Sequence, residues 1–162
     1  GVQTCALPIW ITHIFPAHDD ALVALAENAG ALAPAKIVTS TLATCRLTRS
    51  KVATQSALRD VVPTPQRFAQ PDEINVYPVF LKPDCGQGSQ RTACAANAAQ
   101  LAALLREDPG RTIWELLPGE EFTVDCFSDR ERGLLYVSGR RSCRIRAGIA
   151  MHSQVEIGRA HV

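Results

Sequence analysis

The feature that most constrains how this chain can fold is the stretch of residues 77–92, where a short apolar run ends in a lysine and a glycine-rich loop follows. This order predicts a buried strand, a cationic side chain (Lys82) at its end, and a flexible loop with Gly86, Gly88 and Ser89. Backbone N–H groups of such a loop can approach a polyphosphate closely, and the lysine ammonium adds a compact positive charge beside them. The glycines alone are weak evidence, because Gly-x-Gly is common in tight turns. Together with the lysine they support the hypothesis of a nucleotide triphosphate site.

Composition limits the classes of protein to which the chain can belong. Its 162 residues are 46% hydrophobic and 20% charged, with a formal net charge of +1, which is typical of a soluble globular protein with one core or two small lobes. The balanced charge indicates neither nucleic acid nor a membrane surface as a partner, and no apolar run reaches the roughly 18 residues of a membrane span. The six cysteines form no C-x-x-C pair, which is typical of free thiols in a reducing compartment. We therefore expect a cytoplasmic protein of undefined oligomeric state.

The two ends of the chain look foreign to a protein. Residues 1–9 and 156–162 resemble translated sequencing-adapter DNA. A DNA string that encodes residues 4–9 has a reverse complement that, shifted by one base, encodes residues 157–162, and such agreement is improbable by chance. We therefore expect a natural segment of residues 10–155 that is internal to a longer gene, and we base no site on the terminal residues.

The first part of the natural segment predicts alternating strands and helices. An apolar strand at residues 10–15 is followed by a helix at 21–29 and a second strand at 36–39. Strand, helix and strand in this order imply a parallel pair with a crossover, the last piece of a Rossmann-like unit. The His-Asp-Asp sequence at residues 18–20 could be pictured as metal ligands, but the two aspartates are better explained as the N-cap and first-turn charges of the helix.

Residues 40–60 predict two further helices, and a proline-locked connection at 61–65 predicts a domain boundary near residues 60–66. Beyond the boundary, one helix and a largely antiparallel sheet are expected, so the fold class is α/β. The helix is expected at residues 93–106, where alanine and leucine give high helix propensity. The expected strands, besides the one before the glycine loop, lie at 66–69, 112–117, 121–127, 134–137 and 140–147, with a polar hairpin loop at 128–133.

Four segments match one protein family in the same order along the chain: Ser50 with Lys51, residues 63–65, residues 77–89, and Trp-Glu-Leu-Leu-Pro-Gly-Glu-Glu-Phe-Thr-Val-Asp at 114–125. Together they resemble an ATP-grasp domain of the kind found in carbamoyl-phosphate synthases, biotin carboxylases and carboxylate-amine ligases. The resemblance covers nearly all of residues 10–155. It implies a pre-grasp segment at 10–60 and an ATP-grasp domain at 61–155 that lacks its C-terminal part.

The resemblance assigns the phosphate-binding groups. Lys51 and Lys82 correspond to the two lysines that neutralise ATP phosphates, and Lys82 is the catalytic candidate. Gly86, Gly88 and Ser89 correspond to the lid loop that folds over the phosphates. Phosphoryl transfer is accelerated chiefly by positioning and by charge placed against the phosphate oxygens, so these residue types suit the chemistry. Without the family, Lys51 would be interpreted as a solvated helix residue.

The resemblance also assigns the nucleoside-binding groups. Glu115 and Leu117 correspond to the segment between the two lobes, where main-chain groups contact the adenine edge and apolar side chains sandwich the ring. Glu121 corresponds to the carboxylate that accepts hydrogen bonds from the ribose hydroxyls. The alternative for Glu121 is a surface charge at the start of an edge strand.

Arginines further along the chain are candidates for substrate contacts. Arg144 and Arg146 share one face of the predicted strand with Arg140, and arginines in this region of related ligases meet the substrate carboxylate or the acyl phosphate. A solvated strand face explains them equally well. One departure from the family is Gln90-Arg91, where many members have a further glycine; Arg91 could stiffen the loop or add a phosphate contact.

The resemblance implies ATP, magnesium and a small carboxylate as ligands. The implied reaction transfers the terminal phosphate of ATP to the carboxylate, and an amine or another nucleophile then attacks the acyl phosphate. In the family, the magnesium-binding carboxylates lie further along the chain, so no metal ligand is assigned in this sequence. The segment alone is expected to bind nucleotide weakly and to turn over nothing.

Two other functions remain open at the level of sequence. One is a regulatory or accessory module that keeps the ATP-grasp fold and binds nucleotide without ligation. The other is a nicotinamide-binding Rossmann protein, which would need its glycine loop inside a strand-helix-strand unit and an acidic residue about 20 positions later. The antiparallel hairpin expected after the Trp-Glu-Leu-Leu strand makes this second alternative remote.

Overall fold

The computed structural model describes residues 10–129, 131–146 and 149–155, with side chains described as far as Arg141 and at Gln154. The chain divides between Thr64 and Pro65 into two compact units. Within the described ranges, no helix is both long enough and apolar enough to cross a membrane.

The first unit contains a parallel pair of strands, β1 (His13–Ile14) and β2 (Lys36–Ile37), which are joined through the helix α1 (Asp19–Glu27). This is the strand, helix and strand arrangement that the sequence predicts. Both strands are shorter than the apolar runs suggested: Trp10 and Phe15 are 89% and 71% exposed. Two backbone bonds flank this short ladder, from Lys36 N–H to the Thr12 carbonyl at 2.8 Å and from Val38 N–H to the Ile14 carbonyl at 2.9 Å.

The cap of α1 differs from the prediction by one residue. His18 is the N-cap, and its Nδ1 accepts a hydrogen bond from Asp20 N–H at 3.3 Å. The two aspartates lie in the first turn, where a carboxylate is stabilised by the helix dipole. Asp20 Oδ1 also accepts from Arg49 Nε at 3.0 Å, which ties α1 to the helix α2 (Leu42–Arg49). The Asp20 carboxylate therefore has a structural partner.

Two short helices, α2 and α3 (Lys51–Leu58), follow as predicted. Ser50 separates them: it is the C-cap of α2 and the N-cap of α3, and its Oγ accepts from Ala53 N–H at 3.0 Å. An N-cap serine satisfies one of the donors that the first helical turn leaves open. Lys51 is therefore the first residue of α3, in the first unit.

The second unit is built on a four-stranded antiparallel sheet in the order β3-β6-β4-β5. In β4, Val79 and Leu81 are 1% and 0% exposed and face the core, where they pack with Leu101 of the helix α4. Burial of one such leucine contributes roughly 1.5–3 kcal/mol to stability. Because side chains alternate along a strand, Lys82 is directed to the opposite face. The bounds are β3 (Arg67–Phe68), β4 (Val79–Pro83), β5 (Ala93–Ala95), α4 (Ala98–Glu107) and β6 (Arg111–Glu115).

The helix expected at residues 93–106 begins later than the sequence predicts. Ala93 and Ala95 belong to β5 and pair with β4, and the helix starts only after Asn97, whose side chain accepts from Gln100 N–H at 3.0 Å. Alanine favours a helix intrinsically, but Ala95 is fully buried against the sheet, so packing overrides propensity. The glycine loop, residues 84–92, consequently connects two antiparallel strands and does not open a helix.

A second antiparallel sheet in this unit contains β7 (Phe122–Asp129), β8 (Gly133–Arg146) and β9 (Ile149–Val155) in chain order. The strands predicted at 134–137 and 140–147 belong to one strand as far as Arg146, and residue 147 lies outside the described residues. Because β7 extends to Asp129 and β8 begins at Gly133, the connection is shorter than the predicted loop at 128–133. Gly139 does not interrupt β8, since it pairs in register with Val124. The sequence pattern did not predict β9. Apolar side chains exposed on β7 and β8 are Phe122, Val124, Phe127, Leu134, Leu135 and Tyr136.

Candidate functional site

Lys82, at the end of β4, lies over an aromatic ring of the neighbouring strand. Its Nζ is 4.4 Å from the centroid of the Trp114 ring. Phe80 is the direct register partner of Trp114 and Thr112 is that of Lys82, so the lysine and the tryptophan form a diagonal pair on the same sheet face. A cation over an aromatic face is attracted by the ring quadrupole, so the ring favours this position of the ammonium.

Thr112 connects the two residues through hydrogen bonds. Trp114 Nε1 donates to Thr112 Oγ1 at 2.7 Å, and the same hydroxyl donates to the carbonyl oxygen of Lys82 at 2.7 Å. Trp114 is only 2% exposed, so its ring orientation is fixed by packing as well. The backbone and the ammonium of Lys82 are thus both held from β6. Sequence reasoning missed Thr112 and the contact of Trp114 with Lys82. The available signal was the spacing of two residues between Thr112 and Trp114, which places both side chains on one face of the predicted strand.

A cavity of about 230 Å³ opens beside Lys82. It brings together three of the residues proposed from the sequence, Lys82, Glu115 and Leu117. This volume is below the roughly 300–1,000 Å³ of typical small-molecule sites, so it suits one part of a larger ligand. The lining is mostly apolar, and its other members are Pro65, Phe80, Trp114 and Leu116.

Glu115 is joined to Gln66, the residue before β3, through both its backbone and its side chain. Its N–H donates to the Gln66 carbonyl at 2.8 Å, and its Oε2 accepts from Gln66 N–H at 2.9 Å. The carboxylate therefore fixes the end of β6 against the segment before β3. A second cavity, of about 420 Å³, lies on this side and is lined by Gln66, Phe68, Asn75, Val76, Pro78, Val79, Glu115 and Leu116.

The glycine loop has the backbone conformation that its glycines allow. Gly86 and Gly88 have φ angles of 152° and 63°, and Ser89 and Arg91 also have positive φ, at 54° and 59°. A Cβ on Gly86 would lie 3.1 Å from Pro83 Cγ, so this position lacks room for a side chain as well. Positive φ is favourable mainly for glycine, so the two non-glycine residues need other contacts to stabilise them.

Arg91 contacts a carboxylate at the end of α4. Its Nε donates to Asp108 Oδ2 at 2.8 Å, and its Nη2 donates to Asp108 Oδ1. The hydrogen bond from Arg91 holds the pKa of the Asp108 carboxyl below its ordinary value of 3.8, and the same hydrogen bond raises the pKa of the Arg91 guanidinium above its ordinary value. Of the two roles left open for Arg91, this geometry favours stiffening of the loop.

Other predicted residues belong to other elements of the fold. Lys51 begins α3 in the first unit, and Glu121 is exposed just before β7. The side chains of Arg144 and Arg146 lie outside the described residues. Their backbones pair with β9, and register shifts occur between Ser142 and Ile145.

Arg140, which was grouped with those two arginines, contacts a carboxylate on β7. Its Nε donates to Asp125 Oδ2 at 2.8 Å, and this bond lowers the pKa of Asp125 from 3.8. In the described part of the chain, no three His, Cys, Asp or Glu side chains converge to hold a metal ion.

The sequence profile of the ATP-grasp domain matches residues 48–146. The chain belongs to the ATP-grasp family. Members of this family bind ATP, usually with Mg²⁺. The ATP-grasp resemblance and the α/β fold class predicted from the sequence are confirmed. Comparison with curated proteins gives no match.

Solved structures share the ATP-grasp fold with this chain. An L-amino acid ligase from Bacillus licheniformis superposes with a TM-score of 0.56 at 21% identity, over 76% of this chain and 31% of its own. A pyruvate carboxylase from Rhizobium etli gives 0.61 at 19% identity, over 84% and 14%. A D-alanine-D-alanine ligase from Helicobacter pylori gives 0.57 at 15% identity, over 74% and 39%. This ATP-grasp chain therefore spans well under half of each of these proteins.

Proposed function

We propose that this chain is the ATP-binding part of a ligase that activates a carboxylate as an acyl phosphate. A carboxylate oxygen attacks the terminal phosphorus of ATP, the bond to the bridging oxygen breaks, and ADP leaves. An amine or another nucleophile then attacks the acyl carbon and releases phosphate. The observation that supports this best is the position of Lys82, whose ammonium lies over Trp114 at the edge of an apolar cavity and immediately before the glycine loop.

The residues around the cavity suit the parts of ATP in turn. The apolar side chains of Phe80, Leu116 and Leu117 suit the adenine ring. Lys82 supplies positive charge to the phosphates, and Gly86 to Ser89 supply backbone donors close to them. Lys51 would add a second positive charge, and Glu121 would accept hydrogen bonds from the ribose. Mg²⁺, when bound, would neutralise phosphate charge, and none of the described residues is assigned to it.

The names of two of the similar structures fit this proposal. One is an L-amino acid ligase and another a D-alanine-D-alanine ligase, so two proteins with this fold join amino acids. This chain would share with them the ATP-binding half of the reaction.

Nucleotide binding is tested first with the 162-residue chain in which Trp10 is changed to Phe. Trp114 is then the only tryptophan, because the sequence has two, and its fluorescence should change when ATP enters the cavity. Lys82→Met should weaken ATP binding by roughly 10- to 100-fold, the effect of one charge-assisted contact. Lys36→Met, at an exposed lysine of β2, is the matched control and should leave binding unchanged. Equal ATP affinity in the Lys82→Met and control variants would contradict the proposal.

Ligase activity is tested with a longer protein that contains residues 10–155. ATP-dependent phosphate release that requires a carboxylate, and that Lys82→Met abolishes, would support the ligase. ATP binding without phosphate release would favour a regulatory or accessory nucleotide-binding module.

A further inference from the structure

The two ends of the glycine loop are attached to the fold in different ways. At its N-terminal end, β4 runs directly into the loop through Pro83, which is buried. At its C-terminal end, Arg91 has a φ of 59°, which is unfavourable for a residue with a Cβ. Such a conformation persists only where surrounding contacts stabilise it, so the contacts of Arg91 should explain its positive φ.

A cluster of three residues, which we name the Arg91 clamp, holds this end of the loop. Both Arg91 nitrogens that face Asp108 donate to its carboxylate, one of them at 2.8 Å. Arg111 Nε donates to the carbonyl oxygen of Arg91 at 2.9 Å and lies 3.5 Å from Asp108 Oδ2. Both the side chain and the backbone of Arg91 are therefore held by hydrogen bonds.

The two residues that hold Arg91 have largely buried side chains. The side chains of Asp108 and Arg111 are only 15% and 8% exposed. Arg111 Nη1 donates to the Leu104 carbonyl of α4 at 2.9 Å, and Gly110 N–H donates to Asp108 Oδ1 at 3.1 Å. The turn between α4 and β6 is thereby fixed, and the loop is fixed to that turn.

Within the loop, further bonds extend the constraint towards the glycines. Thr92 Oγ1 donates to the carbonyl oxygen of Ser89 at 2.9 Å, and Gln90 N–H donates to that of Gln87 at 3.3 Å. A loop that is already ordered loses less conformational entropy when it closes on a ligand.

We propose that Arg91 is a positioning residue that acts through Asp108 and Arg111 to hold Gly88 and Ser89 in place for the phosphates of a bound nucleotide. This inference rests on the proposed function. It differs from a direct phosphate contact, in which the Arg91 guanidinium itself would meet the ligand and Asp108 would compete with it.

The two roles predict opposite results for Asp108. Under the clamp, Arg91→Ala and Asp108→Ala each weaken ATP binding roughly tenfold, and the double variant is no weaker than either one, because both changes remove the same interaction. Under a direct phosphate contact, Asp108→Ala leaves ATP affinity unchanged or raises it. Binding is followed through amide NMR shifts of the glycine loop during titration of the 162-residue chain with ATP.

Adenosine, which has no phosphates, separates positioning from general loss of structure. Its affinity, followed at residues 114–117, should stay within about twofold of wild type in all clamp variants. Arg106→Ala, at an exposed arginine of α4, is the matched control. If a variant loses the dispersed amide spectrum of a folded chain, Arg91→Lys and Asp108→Asn replace it, since they keep the side-chain size and remove the forked contact.

The outcomes distinguish this inference from the proposed function. A wild-type chain whose loop amides do not respond to ATP would overturn both. A wild-type chain that binds ATP, with an Asp108→Ala variant that binds it as well or better, would overturn the positioning role alone. Equal loss of ATP and adenosine affinity would also overturn it, because a purely structural role has that result.

Discussion

Lys82 and Trp114 are diagonal neighbours on adjacent antiparallel strands, and the lysine Nζ lies 4.4 Å from the centre of the indole ring. The ring is buried and its N–H is bound to Thr112, so its face is a fixed platform for the ammonium. A lysine on a flexible four-carbon stem normally samples many positions. Here the strand, the ring and the threonine hold it at the edge of the cavity.

Replacement of Trp114 by Leu should show how much of the tryptophan's effect comes from its aromatic face and how much from its buried apolar volume. Leucine still fills part of the space but lacks the aromatic face and the N–H, so we expect a loss of roughly 2–4 kcal/mol in the free energy of unfolding. Trp114→Phe keeps a ring face and should lose less stability, while it retains more ATP affinity than the leucine variant. Urea unfolding and ATP titration of both variants measure the two effects. Equal ATP affinity in the two variants would show that the ring face does not help to position the Lys82 ammonium.

Replacement of Thr112 by Val should test the hydrogen bonds that connect the pair. Valine keeps the branched shape but leaves the Lys82 carbonyl and the Trp114 N–H without this partner, which costs about 1–3 kcal/mol. Thr112→Ser keeps the hydroxyl and is the matched control, with a smaller loss. The urea midpoints of the two variants report the difference; a valine variant as stable as the serine variant would contradict the role assigned to the hydroxyl.

Replacement of Gly86 by Ala should disturb the glycine loop at its first turn. The φ of 152° is rarely adopted by residues with a side chain, and the added Cβ would lie 3.1 Å from Pro83 Cγ. We expect a stability loss of about 1–3 kcal/mol together with weaker ATP binding. Gly30→Ala is the control, because a Cβ at Gly30 meets nothing within 4 Å. Thermal unfolding measures stability, and similar losses in the two variants would rule out a special requirement at Gly86.

The cation and the loop of the candidate site could be predicted from the sequence because both depend on local order. An apolar run, a lysine and two glycines are adjacent in the chain, so their proximity needs no knowledge of the fold. The contact between Lys82 and Trp114 was missed because it depends on the register of β4 against β6. That register is set by burial of Val79, Leu81 and Ile113 on the other face, which involves residues far apart in sequence.

The errors in secondary structure have a similar origin. Ala93 was assigned to a helix on propensity, but pairing with Leu81 makes it part of a strand. The strand β8 was predicted as two separate strands, although the pairing of Gly139 with Val124 continues the ladder between them. In each case, pairing with a neighbouring strand overrode the local pattern.

The Arg91 clamp predicts a specific dependence of stability on pH. The hydrogen bond with Arg91 lowers the pKa of Asp108 in the folded chain below its ordinary value of 3.8. A carboxyl whose pKa is lower in the folded state contributes stability that is fully present above its unfolded pKa and is lost as the pH falls through the folded pKa. Asp108→Asn cannot ionise, so the stability difference between wild type and this variant should be constant from about pH 7 to pH 5 and should shrink below about pH 4.

Urea unfolding at several pH values measures this difference directly. Asp60→Asn is the matched control, because the side chain of Asp60 is 87% exposed and its Arg59 contact is 3.7 Å long. Exposed pairs of this kind contribute little to stability, so the control variant should track wild type far more closely across the range. A difference for Asp108→Asn that stays constant down to about pH 2 would mean that the carboxylate charge is not what holds Arg91, and that the loop is ordered by its backbone contacts with Arg111 instead.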